Sequence, residues 1–339
     1  MKKIAIEEHF YTQNYVAYLM SRRRSPRLEI TEDQAGSRYL KIGFLKYPAS
    51  LLSALLDLGE GRLKQMDESG IDMQVLSLGN PGVEAFDAST GKRMARETND
   101  ELSQVIQKYP DRFSGFAAIP AQEPESAADE LERASKKLGL KGAKITSHVR
   151  GEFLDNQKYW VIFERAEKLG VPIYLHPNMP PPDMIKPYLT YIALSGSMLG
   201  FAHETGLHAM RLICSGVFDK YPGLKIILGH LGEALPYWLQ RMDTRWIKEG
   251  AASDLISSSI EKRPSEYFRH NFLVTTSGMP WQPALICTYL SLGADRMLFS
   301  VDYPFESNQE MVEFIDAAPI CDIDKAKIYH ANAEKLLGL

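Results

Sequence analysis

The chain has 339 residues, a formal net charge of −4, and a composition that is 45% hydrophobic and 24% charged. That is ordinary globular material, enough for one large α/β barrel domain or two smaller domains. Interspersed charges of both signs remove any electrostatic case for nucleic acid or a membrane surface as partner, and no apolar run approaches the ~20 residues of a membrane span.

The chain begins MKKIAIEEHF, where Glu7 and Glu8 interrupt any apolar leader region, so no secretory signal is expected. Ile4 and Ile6 alternate with Lys3 and Ala5, which reads as a short, mostly buried strand ending in Glu7, Glu8 and His9. Burying two carboxylates and an imidazole at a strand end is costly unless a charge compensates them. Residues 11–60 follow as a long, irregular stretch containing SRRRSPR, whose basic run is expected to be solvated or to lie at an interface. Further short apolar runs fall at 72–79, 113–120, 141–148, 171–177, 224–230, 271–278 and 296–304, giving eight candidate strands. Helical patterns lie between them at 61–69, 91–108, 124–138, 157–169, 198–216, 233–247, 281–292 and 306–316. The helix at 124–138 shows the grammar clearly: Pro124 at its start, acids early, lysines late, and a stop at Gly139. Cys214, Cys287 and Cys321 are too widely spaced for a disulfide framework or a metal finger, which suits a reducing cytoplasm.

Eight strands alternating with helices predict a (β/α)8 barrel over residues 1–339, one domain in which 11–60 is an oversized first loop serving as lid or subunit contact. A doubly wound open sheet is the rival, but no glycine-rich phosphate turn follows the first strand. Sites in such barrels sit at the C-terminal ends of the strands. Those ends carry Glu7, His9, Asn80, His148, His176, His230, Ser277 and Asp302, including four of the eight histidines.

Glu7 and His9 are two apart and face one side of a strand. With His176 in YLHP and Asp302 in SVDYP they make a carboxylate and imidazole donor set of the kind that holds one divalent cation, zinc or manganese. Glu8 should point outward by alternation and be structural. In GHLGE, Glu233 follows His230 by three residues, a spacing that lets a carboxylate orient an imidazole for acid–base work or merely complement a helix start. His148 and Asn80 are candidate polar contacts to a substrate. Arg241 is either a bidentate carboxylate holder or a plain helix-surface cation. Lys144 is four residues short of His148 and is expected to be structural or substrate-facing, not a metal bridge. No chemistry is assigned to His203 or His208, and His270 and His330 show no partner in the sequence.

EEH after the first strand, YLHP, GHLGE, TTSG and SVDYPFE together resemble the amidohydrolase-related aromatic acid decarboxylases, over essentially the whole chain and in the family's order. The group includes γ-resorcylate, 2,3-dihydroxybenzoate and 5-carboxyvanillate decarboxylases, with aminocarboxymuconate semialdehyde decarboxylase more distant. Local runs such as LSLGNPGV, ITSH and FIDAAPI look nearest the 5-carboxyvanillate branch. The resemblance implies Glu7, His176, Asp302 and, in branches that keep it, His9 as metal ligands. It implies His230 and Glu233 as the catalytic pair and Arg241 as a substrate-binding residue. It further implies a carboxy-lyase acting on an ortho-hydroxy aromatic acid, with Asp302 or His230 as proton donor, one divalent metal, no organic cofactor, and a homodimer or homotetramer. The rival activity on the same scaffold is a lactonase-like metal hydrolase, and the rival outside catalysis is a metal-binding structural protein.

Overall fold

The computed structural model describes residues 1–43, 45–250 and 260–339, so position 44 of the 11–60 segment lies outside the described residues. In chain order the strands are β1 (Ile4–Phe10), β2 (Leu28–Glu32), β3 (Arg38–Ile42), β4 (Leu45–Pro48), β5 (Met73–Leu78), β6 (Phe113–Gly115), β7 (Ala117–Ala118), β8 (Ala143–Thr146), β9 (Ile173–His176), β10 (Ile226–Leu228), β11 (Phe272–Thr275) and β12 (Met297–Leu298). β1 pairs with β5 and β5 with β6, and β7 to β12 pair in chain order, all parallel. β6 and β7 are one expected strand broken at Phe116. Its N–H still reaches Leu76 O at 2.9 Å, while Ala117 N–H donates to Gly142 O at 2.8 Å.

Past the short β12 the chain returns to β1. Ile6 N–H donates to Phe299 O at 3.2 Å, Asp302 N–H to Glu7 O at 3.0 Å, and His9 N–H to Tyr303 O at 2.7 Å. The ring of eight parallel strands is thereby closed into an α/β barrel. Ile4, Ile6, Val75, Phe116, Ile227 and Leu298 fill its interior. Parallel strands covered on both faces tolerate such continuous apolar runs.

Each of the eight helical patterns has its helix, among them Ala88–Lys108, Pro124–Leu138 and Gly200–Cys214. Pro124 occupies the first turn of its helix, where its missing N–H is no loss, and Gly139 ends it at φ 74°. Asp87 caps Ala88–Lys108 by accepting from Thr90 N–H at 3.0 Å.

The 11–60 segment is not irregular. It holds the helix Gln13–Ser21, the antiparallel sheet β2–β3–β4 and the helix Ser50–Leu56. The alternation of Leu28 with Ile30 and of Leu40 with Ile42 marks the strands, and Asp33 Oδ1 closes the turn by accepting from Ala35 and Ser37 N–H, both at 2.9 Å. Tyr15, Leu19, Leu28, Leu40, Leu51 and Leu55 seat it against Met94 and Ala95 of the long helix. Among the described residues no helix is long and apolar enough to cross a membrane.

Candidate metal and catalytic centre

The four expected ligands converge at the C-terminal mouth of the barrel. One donor atom each from Glu7, His9, His176 and Asp302 lie within 4.8 Å of one another. The two imidazoles meet with His9 Nε2 and His176 Nε2 3.1 Å apart. His176 Nδ1 lies 2.9 Å from Pro177 O, an acceptor only, so the ring proton sits on Nδ1 and Nε2 bears a lone pair. His9 Nδ1 faces Ser77 Oγ at 3.4 Å, which directs its Nε2 toward the same point. In the tautomer that puts the His9 proton on Nδ1, toward Ser77, two lone pairs face each other, an arrangement that a cation between them relieves. Glu7 Oε1, 3.2 Å from His176 Nε2, and Asp302 Oδ1, 2.9 Å from His9 Nε2, are buried without a donor. A divalent cation satisfies all four atoms at once, so the residues present fit such an ion.

Electrostatics agree. Burial, with Lys144 nearby, pushes the His176 imidazole down to about 3, which keeps it neutral as a ligand must be. Burial would raise Glu7, yet His230 and the two histidines beside it hold its carboxyl well below the usual range. The other Glu7 oxygen, Oε2, accepts hydrogen bonds from Tyr174 Oη and Ser277 Oγ, and from Thr275 Oγ1 at 3.1 Å. These three hydroxyls orient the ligand, the usual work of groups behind a metal site. Tyr174 carries a readable signal, since it precedes His176 by two and shares its face. Ser277 stands at a predicted strand end. Thr275 becomes legible only once Ser277 is placed.

Glu8 takes the structural place expected of it. It points away from the ligands, is fully buried, and accepts from Val301 N–H at 2.9 Å and Tyr303 N–H at 3.0 Å, stitching β1 to the chain that carries Asp302.

His230 and Glu233 form the expected pair, with Nδ1 to Oε1 at 2.8 Å. His230 Nε2 then faces Asp302 Oδ2 at 4.0 Å. Burial opposes protonation of His230, but Glu233 and Glu7 outweigh it and raise the imidazole well above its ordinary value. The turn that makes this pair departs from a plain helix start. His230, Leu231, Gly232, Glu233 and Ala234 all have positive φ, between 50° and 83°, and Asp302 has φ 81°. Such backbone is sparsely populated for non-glycine residues and marks a site held by its surroundings. At Gly232, φ 83°, a Cβ would press on Pro236 and Val274 at 3.0 Å, so any side chain there strains the turn.

A cavity of about 510 Å3 opens from this cluster and is lined by Asn80, His148, His230 and Glu306 as well as His9, His176 and Asp302 of the cluster. Asn80 Nδ2 donates to Pro177 O at 3.2 Å, and its buried Oδ1 has no donor. Both His148 nitrogens are taken: Nδ1 accepts from Gly151 N–H at 3.0 Å, and Nε2–H donates to Met179 O at 3.0 Å. That ring therefore offers a wall, not a free hydrogen bond. Lys144 is buried beside Glu84 and donates to Leu78 O, outside the cavity lining, and burial lowers it to about 8. Arg241 lies exposed on the helix Leu235–Gly250 and does not line the cavity within this chain. His330, which shows no partner in the sequence, pairs with Glu334 at 2.9 Å.

Beneath the His148 loop lies a second buried group. Ser147 Oγ donates to Glu204 Oε1 at 2.8 Å and meets His208 Nδ1 at 3.1 Å. Burial pushes Glu204 up to about 8. In the unfolded chain the same acid ionises near ~4.3. Between those values the unfolded state holds fewer protons, so stability falls as pH rises and levels off above the folded value. Glu204→Gln removes this dependence. Its gain in melting temperature over the parent should widen from about pH 5 to about pH 8, and a constant gap would count against a buried acid.

The chain matches the family model described as amidohydrolase over residues 56–339. It is 40% identical over 346 aligned residues to a γ-resorcylate decarboxylase of Polaromonas sp., covering 99% of this chain and 98% of the relative. Its structure is similar to that of a dihydroxybenzoic acid decarboxylase of Polaromonas sp. with bound manganese and the inhibitor 2-nitroresorcinol, at TM-score 0.87 and 39% identity over 100% and 97% of the two chains. It is also similar to 5-carboxyvanillate decarboxylase from Sphingomonas paucimobilis, at TM-score 0.89 and 34% identity over 100% and 99%. The local runs that look nearest the 5-carboxyvanillate branch are thus not matched by higher identity over the whole chain to that relative. Barrel, donor set and full-length similarity agree: the chain belongs to the amidohydrolase family.

Proposed function

We propose that the protein is a metal-dependent, non-oxidative decarboxylase of an ortho-hydroxy aromatic carboxylic acid. The observation that carries this is the cluster of two facing imidazole Nε2 atoms and two carboxylate oxygens without a hydrogen-bond partner, set beside a carboxylate-held His230 at the end of one cavity. Glu7, His9, His176 and Asp302 would hold one divalent ion, manganese or zinc. Such an ion supplies a Lewis acid and template for the carboxylate and the adjacent phenol oxygen.

The residues of the chain do the rest. Glu233 holds His230 Nδ1, so that Nε2 is turned toward Asp302 and the cavity. The His230–Asp302 pair delivers a proton to the ring carbon that bears the carboxylate. The bond from that carbon to the carboxylate then breaks, its electrons restore aromaticity, and carbon dioxide leaves. One proton is consumed per turnover, and no redox partner is needed. A hydrolase would use the same centre to activate water. The named full-length relatives are decarboxylases, which supports decarboxylation over that rival.

The test is carbon dioxide release from 2,6-dihydroxybenzoate set against ring opening of a lactone panel. Lactone turnover without carbon dioxide release would reverse the assignment. Elemental analysis should find one divalent metal per chain, since Lys144 is tied to Leu78 O and not placed between two metals. Two tightly held ions would overturn the single-site reading. The protein is further expected to be a homodimer or homotetramer, because Leu189, Tyr191, Met198 and Tyr237 are all more than half exposed. A monomer in light scattering at micromolar concentration would contradict this.

A further inference from the structure

Ser147, Glu204 and His208 take no part in the mechanism above, yet they are built into the wall of the site. All three side chains are buried inside the chain itself, Ser147 and His208 at 0% and Glu204 at 1% exposure, so the group is complete whatever the assembly. One backbone group fixes the direction of every hydrogen bond among them. Leu154 N–H, which can only donate, meets His208 Nε2 at 2.9 Å. Burial, with His148 and Arg211 nearby, pushes His208 down to about 3, so the ring is neutral and its one proton lies on Nδ1. Nδ1–H therefore donates to Ser147 Oγ at 3.1 Å, and the Ser147 hydroxyl donates onward to Glu204 Oε1 at 2.8 Å.

This chain of bonds is fastened to a strained turn. Ser147 has φ 39°, a left-handed value that a residue with a side chain keeps only where its surroundings hold it. The next residue is His148, whose ring lines the cavity and joins two of its loops through Gly151 N–H and Met179 O. Glu204 and His208 lie on the helix Gly200–Cys214, which also presents Phe201 to the cavity. Gly206 of the same helix passes so close to the catalytic turn that a Cβ there would stand 3.3 Å from Glu233 O. The Ser147 side chain is thus anchored on the element that backs the His230–Glu233 pair.

We propose that Ser147, Glu204 and His208 are positioning residues of the active site: their hydrogen-bonded chain holds the His148 wall in register with the catalytic turn, and substrate affinity depends on it although none of the three lines the cavity. The choice of assay substrate rests on the decarboxylase reading above.

The experiment uses the metal-loaded full chain. Ser147→Ala and Glu204→Leu break the chain of bonds, whereas Glu204→Gln keeps an uncharged carbonyl acceptor for Ser147. The first two should raise KM for 2,6-dihydroxybenzoate by roughly tenfold to a hundredfold, the scale on which a misplaced binding surface acts, with kcat within about threefold and metal content unchanged. Glu204→Gln should restore the parent KM. In a His148→Ala background Ser147→Ala should add nothing, because it acts through that ring. Amide hydrogen exchange reads the same wall without substrate. Gly151 N–H, held by His148 Nδ1, should exchange at least ~10-fold faster in Ser147→Ala and Glu204→Leu, and at the parent rate in Glu204→Gln. A lower melting temperature with KM and Gly151 exchange unchanged would show a merely structural role and overturn the proposal. So would a Glu204→Gln no better than Glu204→Leu, a comparison that stands even where Ser147→Ala does not fold. If no acid releases carbon dioxide, the decarboxylase reading fails, and Gly151 exchange still decides this one.

Discussion

His230→Asn is expected to lower turnover by roughly two to four orders of magnitude, the usual worth of a positioned acid–base group, while leaving metal content unchanged. His230 is not among the four converging donors, and its Nδ1 is taken by Glu233 at 2.8 Å. Only Nε2 faces Asp302 and the cavity. Asparagine keeps polarity and approximate size, and it tolerates the positive φ of 50° better than most residues, so the turn should survive. Glu233→Gln should cost less. It keeps a hydrogen-bonding group on Nδ1 but removes the negative charge that favours the imidazolium. The Glu233 variant should therefore shift the pH–rate profile toward lower pH as well as reduce its height. If His230→Asn loses the metal and regains full rate when metal is resupplied, GHLGE belongs to the metal site and this division of labour is wrong.

The four candidate ligands are legible in the sequence because the physics is local. A short apolar run identifies a strand, alternation puts Glu7 and His9 on one face, and barrel architecture sends every strand end to one mouth. The helices of the barrel are legible for the same reason, through caps such as Asp87 and stops such as Gly139. What is not legible depends on closure of the ring. Tyr174 and Ser277 stand at readable positions, but that their hydroxyls, with that of Thr275, meet Glu7 on β1 follows only once β9 and the end of β11 are brought around to it. The left-handed turn at 230–234 contains only one glycine, so its sequence does not announce five successive positive φ values. The sheet β2–β4 hides behind the charges of SRRRSPR and the polar turn at Asp33, although its apolar alternation is present. Arg241 keeps both of the readings the sequence gives it. Helix spacing alone cannot say which face a side chain occupies, and the structure puts this one in solvent within its own chain.

Removing a ligand should have a different signature from removing the acid–base residue. Asp302→Asn is expected to lose both the ion and the activity, with turnover down by at least the factor expected for His230→Asn and metal content well below one per chain. Its Oδ1 is a buried, donor-less oxygen 2.9 Å from His9 Nε2, and its Oδ2 faces His230 at 4.0 Å, so a single side chain serves both halves of the site. An amide is a poor ligand beside two imidazoles and removes one of two negative charges that offset the dication. Glu7→Gln should lose the ion as well. It should also fold less well, because Tyr174, Thr275 and Ser277 all point hydroxyls at the carboxylate. Chelation of the parent protein provides the independent check. An ion bound only by the folded chain stabilises it by mass action, so stripping it should lower the melting temperature, and adding manganese back should restore it. Asp302→Asn should show neither the drop nor the recovery. A variant that still melts higher with added manganese and still binds one ion per chain would remove Asp302 from the ligand set and leave it only the proton.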